Sequence, residues 1–334
     1  MFLLCDVIRS FKTVFYQKDN VEGIIVKEQK YIFHQDLKPY EKQKAILNPF
    51  FDRILQKLMG VLYGMEKDDS EVSVTKYHVP ATDGANIRLL LYTPKQCDEK
   101  TPCLFFLHGG GFVFNAAPHH FTLARRFTKE LQVKTVFIDY RLAPKYNFPT
   151  APNDCLSAYR WVISNAEKLG VDTEKILVCG DSAGGNLATV LCLMANDAGL
   201  TLPKAQMLLY PLVDRRMNTE SYRRYTDTPM CNSKDMEKYF KMYVKDLDAT
   251  QIPYLSPMET SLVGMPPAYI EVAQYDCLHD EGIKYAEALK QCGVYAELHE
   301  IKAAMHGYDI AKNSGLLNEI MKVRLRFFQK ILNS

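Results

Sequence analysis

Gly180-Asp181-Ser182-Ala183-Gly184 reads G-x-S-x-G, and the residues on both sides of it give the motif its meaning. The preceding run, residues 175–179, is short, apolar and rich in β-branched side chains, which predicts a buried parallel strand. The apolar residues that follow recur at helical spacing; they are Leu187, Val190, Leu191 and Met194. The sequence therefore predicts that Ser182 lies on a sharp turn from strand to helix.

Such a turn would expose the hydroxyl of Ser182. Gly180 and Gly184 suit it, because side chains would clash where the backbone turns tightly. The first turn of the next helix then points free backbone N–H groups towards the hydroxyl. The alternative is an ordinary glycine-rich loop, since five residues with two glycines also recur by chance, and the rest of the chain has to decide between the two.

Predicted strands alternate with predicted helices from residue 71 to the end of the chain. The strands are 72–77, 87–92, 103–107, 135–138, 175–179, 206–210, 268–273 and 295–301. Asp83-Gly84 is a turn signal between the first two strands, which we expect to be antiparallel. The alternation predicts an α/β fold whose parallel sheet is covered by helices on both faces.

Two segments depart from this alternation, and we expect both to form a helical cap. Residues 1–65 contain a predicted helix from Asn48, with Pro49 in its first turn and Phe51, Leu55, Leu58 and Leu62 on one apolar face. Residues 214–255 are an insertion between two core strands, with a helix over 234–245. Insertions at that place commonly cover the strand ends. The predicted organisation is therefore an N-terminal cap segment, 1–65, and a catalytic domain, 66–334, that carries a cap insertion over about 214–255.

A serine hydroxyl becomes a useful nucleophile only beside a base, an acid that orients the base, and donors for the oxyanion. His306 is the predicted base, because it directly follows the last strand and the chain order in such sheets is serine, acid, histidine. His279 and His299 are weaker candidates, the first beside the acid candidate and the second within a strand.

Asp276 is the predicted acid, because it lies just past a core strand at the same end of the sheet as Ser182. Asp280 and Glu281 are close alternatives, but they open the following helix, where acidic residues are expected to meet the helix dipole. Asp214, after the preceding strand, is the other alternative if the chain uses an earlier acid position.

Gly109, Gly110 and Gly111 are the predicted oxyanion donors, together with the residue after the serine, Ala183. The three glycines follow a predicted strand directly. Consecutive glycines let the backbone approach a substrate and direct its N–H groups at developing negative charge. His108 is expected to hold this loop by hydrogen bonds.

These motifs together resemble the hormone-sensitive-lipase-like branch of the α/β-hydrolases, which includes many microbial carboxylesterases. The matching stretches are His108–Gly111, Tyr140–Pro144 (YRLAP), Gly180–Gly185 (GDSAGG), Asp276 and His306. The resemblance covers roughly residues 70–330 and implies an eight-stranded, mostly parallel sheet flanked by helices, with a helical cap. It also implies that Ser182 is the nucleophile, His306 the base and Asp276 the acid. Cys277 departs from the family, which usually has proline after the acid.

The resulting hypothesis is a serine carboxylesterase that hydrolyses short-chain acyl esters through an acyl-enzyme. A deacetylase or amidase acting on an acylated sugar, or on another small acylated substrate, would use the same residues. A non-catalytic ligand-binding protein on a hydrolase scaffold is the alternative of another class. His306 argues against it, because the receptors of this family have lost the catalytic histidine.

Composition excludes several other classes of protein. The net charge of +2 gives no reason to expect nucleic acid or an anionic membrane surface. Nine cysteines without a CxxC pair are typical of reduced thiols in a cytoplasmic protein. The N-terminal apolar run is broken at Asp6, too early for a signal peptide, and no stretch is long enough to span a membrane.

No metal or organic cofactor is needed for the predicted reaction. His119-His120 are expected at the solvated start of a helix, where neighbouring side chains point in different directions, rather than as metal ligands. The expected partner is a small ester substrate, and the family resemblance adds a homodimer formed through the edge of the sheet.

Overall fold

Eight strands form one sheet in the order β1-β2-β4-β3-β5-β6-β7-β8 in this computed structural model, which describes residues 30–44, 61 and 63–334. The strands are β1 (Val72–Pro80), β2 (Asn86–Pro94), β3 (Thr101–Leu107), β4 (Lys134–Asp139), β5 (Val171–Asp181), β6 (Ala205–Leu209), β7 (Ala268–Tyr275) and β8 (Ala296–Met305). β2 pairs antiparallel with β1 and β4, and every other pair is parallel. The predicted eight-stranded, mostly parallel sheet is confirmed, with each predicted strand present.

Helices flank the sheet, as predicted. The α-helices of the described residues are α1 (Pro118–Leu131), α2 (Thr150–Ser164), α3 (Ala166–Leu169), α4 (Ala183–Asp197), α5 (Glu220–Arg224), α6 (Ser233–Tyr243), α7 (His279–Gln291) and α8 (Gly315–Leu332), of which α5 and α6 belong to the insertion. Helix α4 packs on the central strands β3, β5 and β6, and α1 packs on β2, β4 and α8. The central strands are buried almost throughout, as expected where a parallel sheet is covered on both faces.

The carboxyl ends of four parallel strands bring the predicted site residues to one edge of the sheet. The loop that contains Gly109, Gly110 and Gly111, called the glycine loop below, follows β3. Ser182 follows β5, Asp276 follows β7 and His306 follows β8. Because parallel strands end at the same edge, residues as far apart in the sequence as Gly110 and His306 line one pocket.

The insertion over 214–255 contains α5, α6 and a 3-10 helix, Ala249–Tyr254. A hydrogen bond from Met230 N to Gln43 O, 2.9 Å long, joins it to the segment before the sheet. The helix predicted from Asn48, with its face of Phe51, Leu55, Leu58 and Leu62, lies outside the described residues. The division into a cap segment, 1–65, and a catalytic domain, 66–334, therefore stays a prediction.

The cysteines agree with the expectation of reduced thiols where the chain is described. All eight that fall within the described residues are free, and Cys179 is buried in β5 as predicted. Across the same residues, no helix combines the length and the apolar character that crossing a bilayer would require.

Candidate active site

Ser182 occupies the turn between β5 and α4, with φ 53° and ψ −117°. A left-handed backbone is unfavourable for a residue with a side chain and persists only where the surroundings impose it. The glycines on either side permit the close packing that does so. A Cβ on Gly184 would lie 2.0 Å from the carbonyl oxygen of Leu107, and one on Gly180 would lie 2.1 Å from that of Gly184. The turn thus holds Ser182 against the glycine loop.

The structure brings the three predicted triad residues together. His306 Nε2 lies 2.8 Å from Ser182 Oγ, and His306 Nδ1 lies 2.7 Å from Asp276 Oδ2. The other carboxylate oxygen of Asp276 accepts a 2.9 Å hydrogen bond from Leu278 N, which fixes its orientation. All three side chains are buried. With Nδ1–H directed at the carboxylate, Nε2 is the atom that can accept the serine proton.

The alternative acids and bases have other partners. Asp280 accepts from Ser221 N and bonds to His279, while Glu281 accepts from Val213 N at 2.7 Å. Asp214 forms an ion pair with Arg216. His299 lies beside Glu297. Asp280 and Glu281 thus bind backbone N–H groups of the segment 213–221, in addition to lying in the first turn of α7 where the sequence predicted a dipole interaction.

Two opposing effects determine the pKa of His306, the predicted base. Burial lowers the pKa of His306, but the charge of Asp276 and its hydrogen bond outweigh burial and raise the pKa to about 9. The carboxylate therefore favours the imidazolium, which is the form that the histidine takes after it accepts a proton from the serine.

The predicted oxyanion donors differ in whether their N–H groups are available. The N–H groups of Gly110 and Gly111 have no acceptor within the described chain, and Ala183 lies in the first turn of α4, where N–H groups lack intrahelical partners. These three remain candidate oxyanion donors. The prediction for Gly109 was wrong, because its N–H donates a 2.9 Å hydrogen bond to Asp181 Oδ1 and is not free for a substrate.

A second polar chain, which the sequence analysis did not find, holds the glycine loop. Asp181 Oδ2 lies 3.2 Å from His120 Nε2, and His120 Nδ1 accepts a 2.8 Å hydrogen bond from Ala117 N. The hydrogen of the neutral ring must therefore be on Nε2, where it is donated to Asp181. Burial would raise the pKa of Asp181, but His120, His119 and the Gly109 N–H lower it to about 2. The carboxylate is thus ionised and anchors the loop.

This arrangement corrects the expectation that His119-His120 form a solvated helix start. His120 is buried, because α1 begins at Pro118, directly beside Asp181. The side chains of His119, His120 and Asp181 offer ligand atoms within 4.8 Å of one another. A metal ion, however, would need a free nitrogen on His120, and both nitrogens are engaged in hydrogen bonds. This hydrogen bonding disfavours a three-ligand metal site.

We expect Asp181→Asn to lower kcat for ester hydrolysis by about 10- to 100-fold. Complete loss of one oxyanion donor lowers kcat by about 10²- to 10³-fold, and this variant would release the glycine loop only in part. The new amide nitrogen would face the donating Nε2–H of His120, so one of the two hydrogen bonds must break. Steady-state kinetics measure the effect. Asp246→Asn, at an exposed position, is the matched control. A kcat within twofold of wild type for Asp181→Asn would contradict the anchoring role.

The pocket beside Ser182 has a volume of about 190 Å³. Insertion residues contribute one wall, namely Met230, Cys231, Met236 and Tyr239. Tyr239 packs so closely on the glycine loop that a Cβ on Gly111 would lie 2.6 Å from its ring. Tyr222 and Tyr225, two aromatic residues of the insertion, do not line the pocket and are buried elsewhere.

A buried ionic network supports the loop that carries the base. Arg324, fully buried in α8, forms ion pairs of 2.6 Å with Glu271 and 2.7 Å with Asp309. The hydroxyl of Tyr210 donates a 2.8 Å hydrogen bond to Asp309, and the ring of Tyr210 packs edge-on against His306 at 4.9 Å between centroids. The network thus links the C-terminal helix to the histidine.

Comparisons with known proteins agree on one fold. A family model described as an alpha/beta hydrolase fold matches residues 104–310. An ethyl acetate hydrolase of Pseudomonas putida is 33% identical over 246 residues, which cover 72% of this chain and 77% of that protein. The carboxylesterase NlhH of Mycobacterium tuberculosis is 35% identical over 227 residues, or 67% and 71% of the two chains. Among solved structures, a bacterial heroin esterase superposes with a TM-score of 0.82 at 28% identity, over 91% of this chain and 99% of that one.

Proposed function

We propose, because this chain belongs to the α/β-hydrolase family, that Ser182, His306 and Asp276 are the catalytic triad of a serine carboxylesterase for small esters with short acyl groups. The assignment of this chain as a carboxylic ester hydrolase rests on its similarity to named esterases. The observation that carries the finer proposal is the unbroken contact from Ser182 Oγ through His306 to Asp276.

The first half of the reaction forms an acyl-enzyme. Ser182 Oγ attacks the ester carbonyl carbon while its proton moves to His306 Nε2, 2.8 Å away. Asp276 stabilises the imidazolium, and the carbonyl oxygen, now negative, accepts hydrogen bonds from Gly110, Gly111 and Ala183. The bond to the leaving alkoxide breaks, and His306 returns the proton to that oxygen.

The second half regenerates the serine. A water molecule gives a proton to His306 Nε2 as its oxygen attacks the acyl carbon, and the same donors stabilise the second oxyanion. The bond to Ser182 Oγ then breaks, Oγ takes back the proton, and the carboxylic acid leaves. Every step uses groups of this chain and water.

The small pocket supports the preference for short acyl groups. Its volume of about 190 Å³ is below the range of about 300–1,000 Å³ that is usual for drug-sized ligands. We expect p-nitrophenyl esters to be hydrolysed with the highest kcat/KM at acyl chains of about two to four carbons, with a steep fall towards palmitate. Initial rates over an acetate-to-palmitate series give the profile. An optimum at long chains would contradict the short-acyl assignment.

The pH dependence follows from the raised pKa of His306. Only the neutral imidazole accepts the serine proton, so kcat/KM should rise tenfold per pH unit below the pKa and level off above about 9. Asp276→Asn removes the interaction that raises the pKa and leaves burial, which lowers it, so the inflection should move to lower pH. The same change should lower kcat by about 10⁴-fold. Profiles of kcat/KM from pH 5 to 10 measure both effects, and an inflection that Asp276→Asn does not move would contradict the assignment of the acid.

A further inference from the structure

The backbone of the glycine loop is left-handed at three successive residues. Gly110 has a φ of 117°, Gly111 one of 59° and Phe112 one of 63°. Glycine adopts such angles readily, but a residue with a bulky side chain does not, and it keeps them only where its surroundings impose them. The surroundings of Phe112 must therefore stabilise this shape of the loop.

Tyr243, the last residue of α6, packs on Phe112. The two rings are stacked, with 3.9 Å between their centroids and 8° between their planes. Both side chains are buried. The insertion thus supplies a flat aromatic surface against which the Phe112 side chain lies.

The end of α6 is itself fixed to the segment that precedes α2. Phe148 packs edge-on against Tyr243 at 5.8 Å between centroids, and Phe148 N donates a 2.9 Å hydrogen bond to Tyr243 O. Asn147 Nδ2 donates a 2.7 Å hydrogen bond to Met242 O. Because backbone and side-chain contacts both hold Tyr243, its ring can fix the position of Phe112.

Tyr239, one turn earlier on the same face of α6, packs closely against Gly111. Asp181 binds the other end of the loop through the N–H of Gly109. The candidate donors Gly110 and Gly111 therefore lie between two anchors, one at the end of β5 and one on the insertion.

We propose that Tyr243 is a positioning residue for the oxyanion site. Its ring holds Phe112 in place and thereby directs the N–H groups of Gly110 and Gly111, which line the pocket, at the substrate. Tyr243 and Phe112 do not line the pocket themselves, so Tyr243 acts through the loop rather than by contact with substrate. The inference rests on the proposed function, in which these N–H groups stabilise the oxyanion.

Tyr243→Leu keeps an apolar side chain and removes the stacked ring. The kcat for p-nitrophenyl acetate should fall by about 10- to 100-fold, because both donors would be misaligned without either being lost. The kcat/KM should fall by the same factor, as expected for an interaction that is made only in the transition state. Tyr243→Phe should keep kcat within about twofold of wild type, because it retains the ring and removes a hydroxyl that has no hydrogen-bond partner among the described residues.

Inhibition by trifluoroacetone separates misaligned donors from a loss of folded enzyme. Ser182 Oγ adds to the carbonyl carbon, its proton moves to His306, and the carbonyl oxygen becomes an oxyanion in the place that it occupies during the reaction. The Ki for Tyr243→Leu should therefore rise by about 10- to 100-fold, in parallel with the loss of kcat. A smaller folded fraction would lower the rate per mass of protein but would leave Ki unchanged.

Tyr159→Leu is the matched control for this measurement. Tyr159 is a buried tyrosine of α2 that packs edge-on against Phe105 at 5.1 Å between centroids. Its loss should lower stability, as large-to-small changes in a core do, and should leave Ki within about twofold of wild type.

Phe112→Gly tests the same contact from the side of the loop. Glycine accepts a φ of 63°, so this variant should fold even if Tyr243→Leu does not. Its Ki should rise by about 10- to 100-fold as well. The double variant should lose no more than the larger single loss, because both changes remove the same stacked pair.

Ki values within about twofold of wild type for both Tyr243→Leu and Phe112→Gly would overturn the positioning role. An equal rise in Ki for Tyr243→Phe and Tyr243→Leu would also overturn it, because the ring would then not be the group that acts. Either result would leave the esterase assignment intact if wild type hydrolyses p-nitrophenyl acetate and is inhibited. Folded wild type that does neither would contradict the proposed function and, with it, the positioning role.

Discussion

Ser182→Ala should lower kcat for ester hydrolysis by about 10⁴- to 10⁶-fold, because the variant has no nucleophile and retains only the oxyanion donors and substrate binding. The fold should be unaffected, since alanine removes a single oxygen whose partner in the structure is His306. Hydrolysis of p-nitrophenyl acetate by purified protein measures the loss, with long incubations to follow the slow variant.

Ser157→Ala is the matched control for this change. Ser157 is a buried serine of α2 whose hydroxyl donates a 2.7 Å hydrogen bond to Asn153 O within the same helix. The kcat of the Ser157→Ala enzyme should stay within about twofold of wild type, because Ser157 does not line the pocket. A Ser182→Ala enzyme that keeps more than a tenth of the wild-type rate would exclude Ser182 as the nucleophile.

Arg324→Met should lower the free energy of unfolding by about 3–5 kcal/mol, because it leaves Glu271 and Asp309 as unpaired carboxylates in the interior. Methionine is close to arginine in length and tests the charge rather than the volume. The burial of Arg324 is complete, so solvent does not screen the pairs. Urea unfolding followed by circular dichroism measures the change.

Arg326→Met, two residues further along α8, provides the control. Arg326 is exposed and, among the described residues, donates to Lys322 O within the helix, so its loss should change stability by less than about 0.5 kcal/mol. If Arg324→Met costs less than about 1 kcal/mol, the buried network does not stabilise the fold as described.

The sheet and the meeting of Ser182, His306 and Asp276 at one edge could be predicted from the sequence for one physical reason. Buried parallel strands are short apolar runs, and the carboxyl ends of such strands meet at one edge of the sheet. Ser182 and Asp276 follow runs of this kind, and His306 follows the strand that pairs in parallel with the last of them, so chain order predicted that the three residues meet at one edge.

The features of the site that the sequence did not reveal depend on the direction in which individual polar groups point. The N–H of Gly109 points at Asp181 rather than into the pocket, and residue types alone do not specify that direction. The burial of His120 depends on where α1 begins relative to the end of β5. Asp181, an acidic residue inside the G-x-S-x-G motif, was the available signal for this second polar chain. An ionised carboxylate at the end of a buried strand needs hydrogen-bond donors around it.

Arg324 was missed because it contradicts the apolar pattern. Val323 and Phe327 recur at helical spacing as apolar residues of the last helix, and a charged residue between them in the sequence suggests a solvent-exposed position. Its partners, Glu271 and Asp309, come from β7 and from the 3-10 helix after His306. A buried charge is tolerated when it is paired, and pairing across distant segments cannot be deduced from local periodicity.

Covalent labelling of the enzyme with phenylmethanesulfonyl fluoride, followed by peptide mass spectrometry, is the most direct test of Ser182 as the nucleophile. Ser182 Oγ should displace fluoride from sulfur, so that one sulfonyl group per chain appears on the peptide that contains Ser182, in proportion to the loss of esterase activity. The Ser182→Ala variant should take up no label. Inactivation with the label on another residue, and with Ser182 unmodified, would contradict the account.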